Sequence, residues 1–421
     1  MRKILFSEYN YVFFHIFFLA ALYCLFYFTG IINIFPSEIN ICRWDCGWYK
    51  IIKDIGYYYK EAEQSSVAFF PAFPFLWSFL NVNASTMAII NASIFFISFV
   101  FIAMEFNIKK EDGLIFLSLP SIIFMFVPFS EALFFLFGSV LLIGLNRNNI
   151  VLASIGLFFC CLTRSAAVLF VPAIIFIEFI YFDGKKDLSK SIKNIITYGI
   201  IMFVANMAVI LYQWNVTGVW FAFKKSQAQW NHYFHLLKFP LTSIGYNALW
   251  LDIIALWIGI FAGIYCLYIV IKKIKLQNYI KNKAFLFSVC YLFATAVFVL
   301  TYQGERLQSL NRYSFSTPFF LVFFIFINRN ALFEFKKMLL ILFYTIIILL
   351  LFNPFMPIFE LSKIQTLVFY IAVYIYIILF VAYIFFNKNK YFKKLYLPLY
   401  FINVILQVLA FSFFINSQWI G

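Results

Sequence analysis

Residues 84–106 read ASTMAIINASIFFISFVFIAMEF, and their only ionisable side chain is Glu105, next to the far end. A helix rises about 1.5 Å per residue, so this run is long enough to cross the roughly 30 Å hydrocarbon core of a bilayer. Working outward, the same reading gives candidate spans at 11–32, 113–128, 130–145, 149–163, 165–182, 194–214, 248–271, 284–302, 313–328, 338–352, 363–386 and 396–415. The spans from 113 to 182 are short and interrupted by Pro120, Pro128, Arg164 and Pro172. Some of them read as re-entrant half-spans, so eleven to thirteen crossings are expected. Broken backbone at membrane depth is tolerated only where protein or a water-filled cavity surrounds it, so this region is expected to line a cavity.

Composition agrees. Hydrophobic residues make up 65% of the 421 and charged residues 12%, and the mean hydropathy is +0.93. A soluble core cannot hide that much apolar surface, and the fold class is an all-α polytopic membrane protein. The first span is too long, and too poorly followed by small residues, for a removable signal peptide.

The net charge of +15 would suggest nucleic acid in a soluble protein. Its distribution instead follows the orientation rule for membrane loops. With a cytoplasmic N-terminus, 21 of the 32 Lys and Arg fall on the cytoplasmic side, in clusters such as Arg2/Lys3, Lys109/Lys110, Lys272/Lys273 and Lys388/Lys390. No nucleic-acid partner is expected. The chain reads as one integral membrane domain, 1–421, with extracytoplasmic loops at 33–83 and 215–247, a shorter one at 303–312, and C-terminal spans over 321–421. A bacterial plasma membrane is favoured over the endoplasmic reticulum.

The first outer loop holds Arg43-Trp44-Asp45-Cys46-Gly47-Trp48-Tyr49, a carboxylate set among aromatic rings. Rings and hydrogen-bonding groups together suit a sugar, although Trp and Tyr beside a span also serve as interface anchors. Residues 38–64 are expected to contain a short amphipathic helix along the membrane surface, in the first extracytoplasmic loop. Trp44, Trp48, Ile51, Ile52 and Ile55 would face lipid or protein, and Asp45 would project elsewhere. Cys42 and Cys46 are the only cysteines in an outer loop, and four-residue spacing on a helix argues against a disulfide. They have no companion His or Cys pair for zinc.

Ionisable groups at membrane depth are functional candidates by default. Glu131 begins a span after Pro128-Phe129-Ser130, Arg164 sits in Leu162-Thr163-Arg164-Ser165, and Arg312 in Leu310-Asn311-Arg312-Tyr313. A planar guanidinium binds phosphate oxygens bidentately, and at the outer edge of the membrane it suits a phosphate carried on a lipid tail. The plainer readings are a snorkelling cation for each Arg and a dipole-complementing charge for Glu131.

Six segments in order then resemble a known family. They are Arg43-Trp44-Asp45 with Gly56-Tyr57, Ala68-Phe69-Phe70-Pro71-Ala72-Phe73-Pro74, Pro120-Ser121 through Ser130-Glu131-Ala132-Leu133, Thr163-Arg164-Ser165, Thr217-Gly218 through Phe223 with Gln227-Ala228-Gln229-Trp230, and Ser309-Leu310-Asn311-Arg312-Tyr313 with Pro318. The resemblance is to the second GPI mannosyltransferase and its bacterial relatives, and it covers roughly residues 40–320. Cys46-Gly47-Trp48-Tyr49 stands where the eukaryotic branch has Ser-x-His-Phe, and Val219-Trp220 where the bacterial pattern has Asp-Pro. The resemblance implies a GT-C bundle that takes a sugar, in this family mannose, from a polyprenyl-phosphate donor and uses an acidic residue of the first outer loop. That role falls on Asp45.

The chemistry supports the same assignment. An inverting glycosyl transfer needs one carboxylate to take the proton of the attacking hydroxyl and cationic stabilisation of the leaving phosphate. Asp45 is the candidate base, and Arg164 and Arg312 the phosphate ligands. Glu131, Gln229, Asn311 and Tyr313 are candidate substrate contacts, with Trp44 and Trp48 as stacking surface. The expected partners are a polyprenyl-phosphate sugar, a glycan or glycolipid acceptor and membrane lipid. The outer side carries no dense Asp or His cluster, so neither a metal nor another cofactor is expected. Two other classes fit parts of the pattern: an oligosaccharide-lipid transporter or flippase, for which an internal repeat of broken spans is missing, and an accessory subunit of a glycosylation complex, which would not need Asp45.

Overall fold

The computed structural model describes residues 9–165, 167–304, 306–330, 335–358, 361–386 and 393–421. The basic clusters at Arg2/Lys3 and Lys388/Lys390 lie outside them. In chain order the helices are α1 (Asn10–Phe28), α2 (Asp45–Ile55), α3 (Ala72–Leu80), α4 (Ala84–Glu105), α5 (Lys110–Leu117), α6 (Glu131–Asn146), α7 (Ile150–Thr163), α8 (Ala167–Tyr181) and α9 (Lys185–Thr217). They continue as α10 (Ala222–Ser226), α11 (Tyr246–Ile274), α12 (Lys283–Tyr302), α13 (Leu310–Phe315), α14 (Pro318–Asn330), α15 (Phe335–Leu350), α16 (Lys363–Phe386) and α17 (Tyr396–Ile415). No strand occurs among the described residues.

The all-α polytopic membrane architecture is as expected. Among the described residues, seven helices are long and apolar enough to cross a membrane: α1, α4, α9, α11, α12, α16 and α17. Five shorter apolar helices, α6, α7, α8, α14 and α15, pack with them. The expected span at 113–128 is the exception. Helix α5 ends at Leu117 and a 3-10 segment covers Pro120–Met125. Pro120 cannot donate to the helical ladder, so the α-helix stops ahead of it. Every residue from Asp112 to Met125 is buried, as irregular backbone at this depth requires. Pro172, by contrast, does not break the chain, and α8 runs through it.

Close approach of α6 and α7 builds the centre. A Cβ on Gly144 would lie 2.3 Å from the Ala153 nitrogen, and one on Gly156 would lie 2.3 Å from the Leu141 nitrogen. Glycine is therefore required at both places, the small-residue contact typical of membrane helices. The hairpin sets the N-terminus of α6 beside the C-terminus of α7, at the end of the bundle that receives the 33–83 loop. The opposite end carries Glu105, Asn146, Arg147 and Asn282, joined by side-chain hydrogen bonds.

Candidate functional site

Four ionisable residues from distant segments meet at the loop end, each near a helix terminus. Asp45 is the first residue of α2 and Glu131 the first of α6. Both carboxylates sit where a helix dipole favours negative charge. Arg164 follows α7 in an extended conformation, where the dipole favours a cation. Arg312 lies in α13, whose preceding residue, Ser309, has a left-handed backbone with φ +65°.

These residues form a chain of alternating charge. Arg164 Nη1 donates to Glu131 Oε1 at 2.5 Å, and Arg312 Nε donates to the same oxygen. Arg312 Nη1 donates to Asp45 Oδ2 at 2.7 Å. Side-chain exposure is 1% for Glu131 and 2% for Arg312, against 19% for Arg164 and 24% for Asp45. The inner pair is thus desolvated and the outer two groups open toward solvent. Ring faces complete the setting: the Arg312 guanidinium lies 4.6 Å from the Phe129 ring centre, and that of Arg164 lies 4.6 Å from Tyr313. Such contacts stabilise a desolvated cation by about 2 kcal/mol.

The chain borders a cavity of about 200 Å³ whose lining includes Asp45, Arg164, Arg312 and Tyr313. Each guanidinium has five N–H donors. Among the described residues, the carboxylates take one from Arg164 and two from Arg312. Donors therefore remain for an anion. Asp45 Oδ1 accepts no hydrogen bond among the described residues.

The other expected contacts divide. Tyr313 reaches the cavity, whereas Glu131 sits behind it and holds the two guanidiniums. Asn311 turns away: its Nδ2 donates to Asp252 Oδ1 at 2.7 Å, and its Oδ1 accepts from Ser121 at 2.9 Å. Gln229 is exposed, and Gln227 and Trp230 line the cavity instead. Residues 227–230 form a 3-10 turn, in which positions i and i+3 share a face, so Gln227 and Trp230 point together and Gln229 elsewhere. Trp48 lies one layer back, stacked on Phe69 and edge-on to Trp230. Trp44 packs against Trp419, and it is Trp419 that reaches the cavity.

One expectation about this loop is met and one is corrected. The expected short amphipathic helix within 38–64 is α2, and Trp44 precedes it with φ +53°. The buried side is Cys46, Tyr49 and Ile52, while Ile55 is 81% exposed. This side is anchored to the protein because Tyr49 donates to Ser130 at 2.9 Å and Cys46 is bridged. Cys42 and Cys46 do form a disulfide, with Cα atoms 5.1 Å apart. Cys42 lies in the turn ahead of α2, so helical spacing does not apply to the pair.

Sequence reasoning missed Asp252, His232 and Trp419. Asp252 is fully buried in α11, accepts from Ser243 at 2.5 Å and from the Asn311 backbone at 2.9 Å, and so holds the turn that carries Arg312. A lone carboxylate in an apolar run was the available signal. His232 lines the cavity, bonded to Gln227 at 2.6 Å, and burial lowers its pKa while nearby Asp45 opposes the shift. Trp419 follows the last span, and no local pattern marks it. No family model, curated protein or solved structure matches the chain.

Proposed function

We propose that the protein is an inverting glycosyltransferase that moves a sugar, mannose in the first instance, from a polyprenyl-phosphate donor to a glycan or glycolipid acceptor on the extracytoplasmic side of the membrane. One observation carries this reading: Asp45, Arg164 and Arg312, far apart in sequence, line one cavity at the loop end of an apolar helical bundle. In the reaction the acceptor hydroxyl attacks the anomeric carbon, its proton passes to Asp45, and the bond from that carbon to the phosphate oxygen breaks. Negative charge grows on the departing lipid phosphate, beside Arg164 and Arg312. Glu131 keeps both guanidiniums aimed at that spot.

The disulfide supports an extracytoplasmic site, since such bonds persist in oxidising compartments. Asp54 is the competing carboxylate in the same helix, but it is exposed and paired with neighbouring Lys53 at 2.8 Å. Purified protein in liposomes, given polyprenyl-phosphate mannose and a panel of acceptors, is expected to transfer the sugar. Asp45→Asn should lower the rate by about a hundredfold or more, while Asp54→Asn stays near wild type. Transfer from a nucleotide sugar instead, or loss with Asp54→Asn alone, overturns the assignment.

A further inference from the structure

The segment Cys42–Cys46 encloses Asp45 within a covalent ring. Two backbone bonds tighten it: Cys46 N–H donates to the Arg43 carbonyl at 3.1 Å, and Gly47 N–H to the Trp44 carbonyl at 3.0 Å. The residue just before Asp45, Trp44, has φ +53° and ψ −121°, a backbone region that L side chains rarely adopt. Left to itself, such a residue relaxes toward negative φ and carries its neighbour's side chain with it. Something must therefore over-determine this turn.

The buried half of the bridge supplies that constraint. Cys46 is fully buried in an apolar cluster that includes Phe124 and Phe129, and Cys42 packs at its edge. Those two rings also face the Arg312 guanidinium, at 5.2 and 4.6 Å. The bridge thus fastens the turn that carries Asp45 to the same floor that seats Arg312. We infer that the Cys42–Cys46 disulfide is a positioning bridge that holds the Asp45 carboxylate in reach of its reactants, so that opening it lowers turnover without weakening donor binding. The inference rests on the reading of Asp45 as the base. Arg164 and Arg312 both lie outside the ring, and Glu131 still holds both when Asp45 shifts, which is why donor affinity is spared.

Reduction of the folded wild-type protein with tris(2-carboxyethyl)phosphine tests this. The disulfide becomes two thiols as the phosphine takes an oxygen from water to become its oxide. The kcat for transfer from polyprenyl-phosphate mannose should fall by about tenfold or more, since displacements near 1 Å are costly, with donor KM within about twofold. Reoxidation should restore it. The double variant Cys42→Ala with Cys46→Ala should have the lowered kcat from the start and show no response to the phosphine. Full kcat in the reduced protein, or a parallel rise in KM, overturns the inference.

Hydrogen exchange at the Cys46 and Gly47 amides reads the ring without any substrate. It should quicken by about tenfold or more on reduction, since their acceptors, the Arg43 and Trp44 carbonyls, lie inside the ring. Unchanged exchange overturns the positioning role even in an inactive preparation, whereas inactivity of the oxidised wild type, with exchange responding as expected, sinks only the transferase reading.

Discussion

Two buried carboxylates, one toward each end of the bundle, are held in opposite ways. Glu131 is gripped by cations, Arg164 and Arg312, at the edge of a cavity. Asp112 is held at the other end by neutral groups: Asn328 Nδ2 and the Tyr383 hydroxyl each donate to its Oδ1 at 2.6 Å. The first arrangement keeps guanidinium donors in reserve beside open space, which is what an anionic ligand requires. The second joins α5, α14 and α16 among buried residues. A charged residue in a membrane helix thus suits a ligand site when its partners are cations with donors to spare beside a cavity, and a structural tie when neutral groups hold it in the packed interior.

The contrast can be broken most directly at Glu131. Replacing it with Gln leaves two buried guanidiniums without their shared counter-charge, so stability should fall by about 3–5 kcal/mol. Denaturation of the detergent-solubilised variant measures this. A loss no greater than that of Asp112→Asn would mean that the two carboxylates do the same job.

Smaller effects should come from the cations. Arg312→Lys keeps the charge but cannot bridge Glu131 and Asp45 while also serving a phosphate. Use of limiting donor should drop by about tenfold or more, the worth of one charge-assisted hydrogen bond. Arg164→Lys should do less, because among the described residues Arg164 pairs with one carboxylate, Glu131, and bridges no second one. Initial rates at low donor concentration distinguish the two, and equal activity of both variants with wild type would remove the phosphate role.

The smallest change is expected at Asp112→Asn. The carboxamide oxygen still accepts from Asn328 and Tyr383, so the cost should be about 1 kcal/mol, with transfer unaltered. A loss of transfer in this variant, with the melting temperature preserved, would extend the functional region to the far end of the bundle.

The apolar runs gave the class from sequence alone, and twelve of the thirteen candidate spans are apolar helices, seven of them long enough to cross a membrane, because a bilayer rewards local hydropathy with little regard to which helix packs on which. They overcounted at 113–128, where hydropathy registers only that the segment is buried. Whether it lies in lipid as a helix or in protein as a broken strand of backbone depends on its neighbours, and α17 packs against it. The residue types also singled out Asp45, Glu131, Arg164 and Arg312, since charge at membrane depth is too costly to be idle.

Tertiary structure decided what each of them touches. Glu131 pairs with both guanidiniums and does not line the cavity, because the α6–α7 hairpin sets it behind Arg164. Gln227 displaced Gln229 through the threefold geometry of a 3-10 turn. Asn311 was claimed by Asp252, and Trp419 reached the cavity from beyond the last span. The turn before α2 closed a disulfide that helical spacing would forbid. Local sequence determines which segments enter the membrane, because that free energy is summed residue by residue. Which side chains then face one another depends on helix rotation and chain breaks, which only packing between distant segments sets.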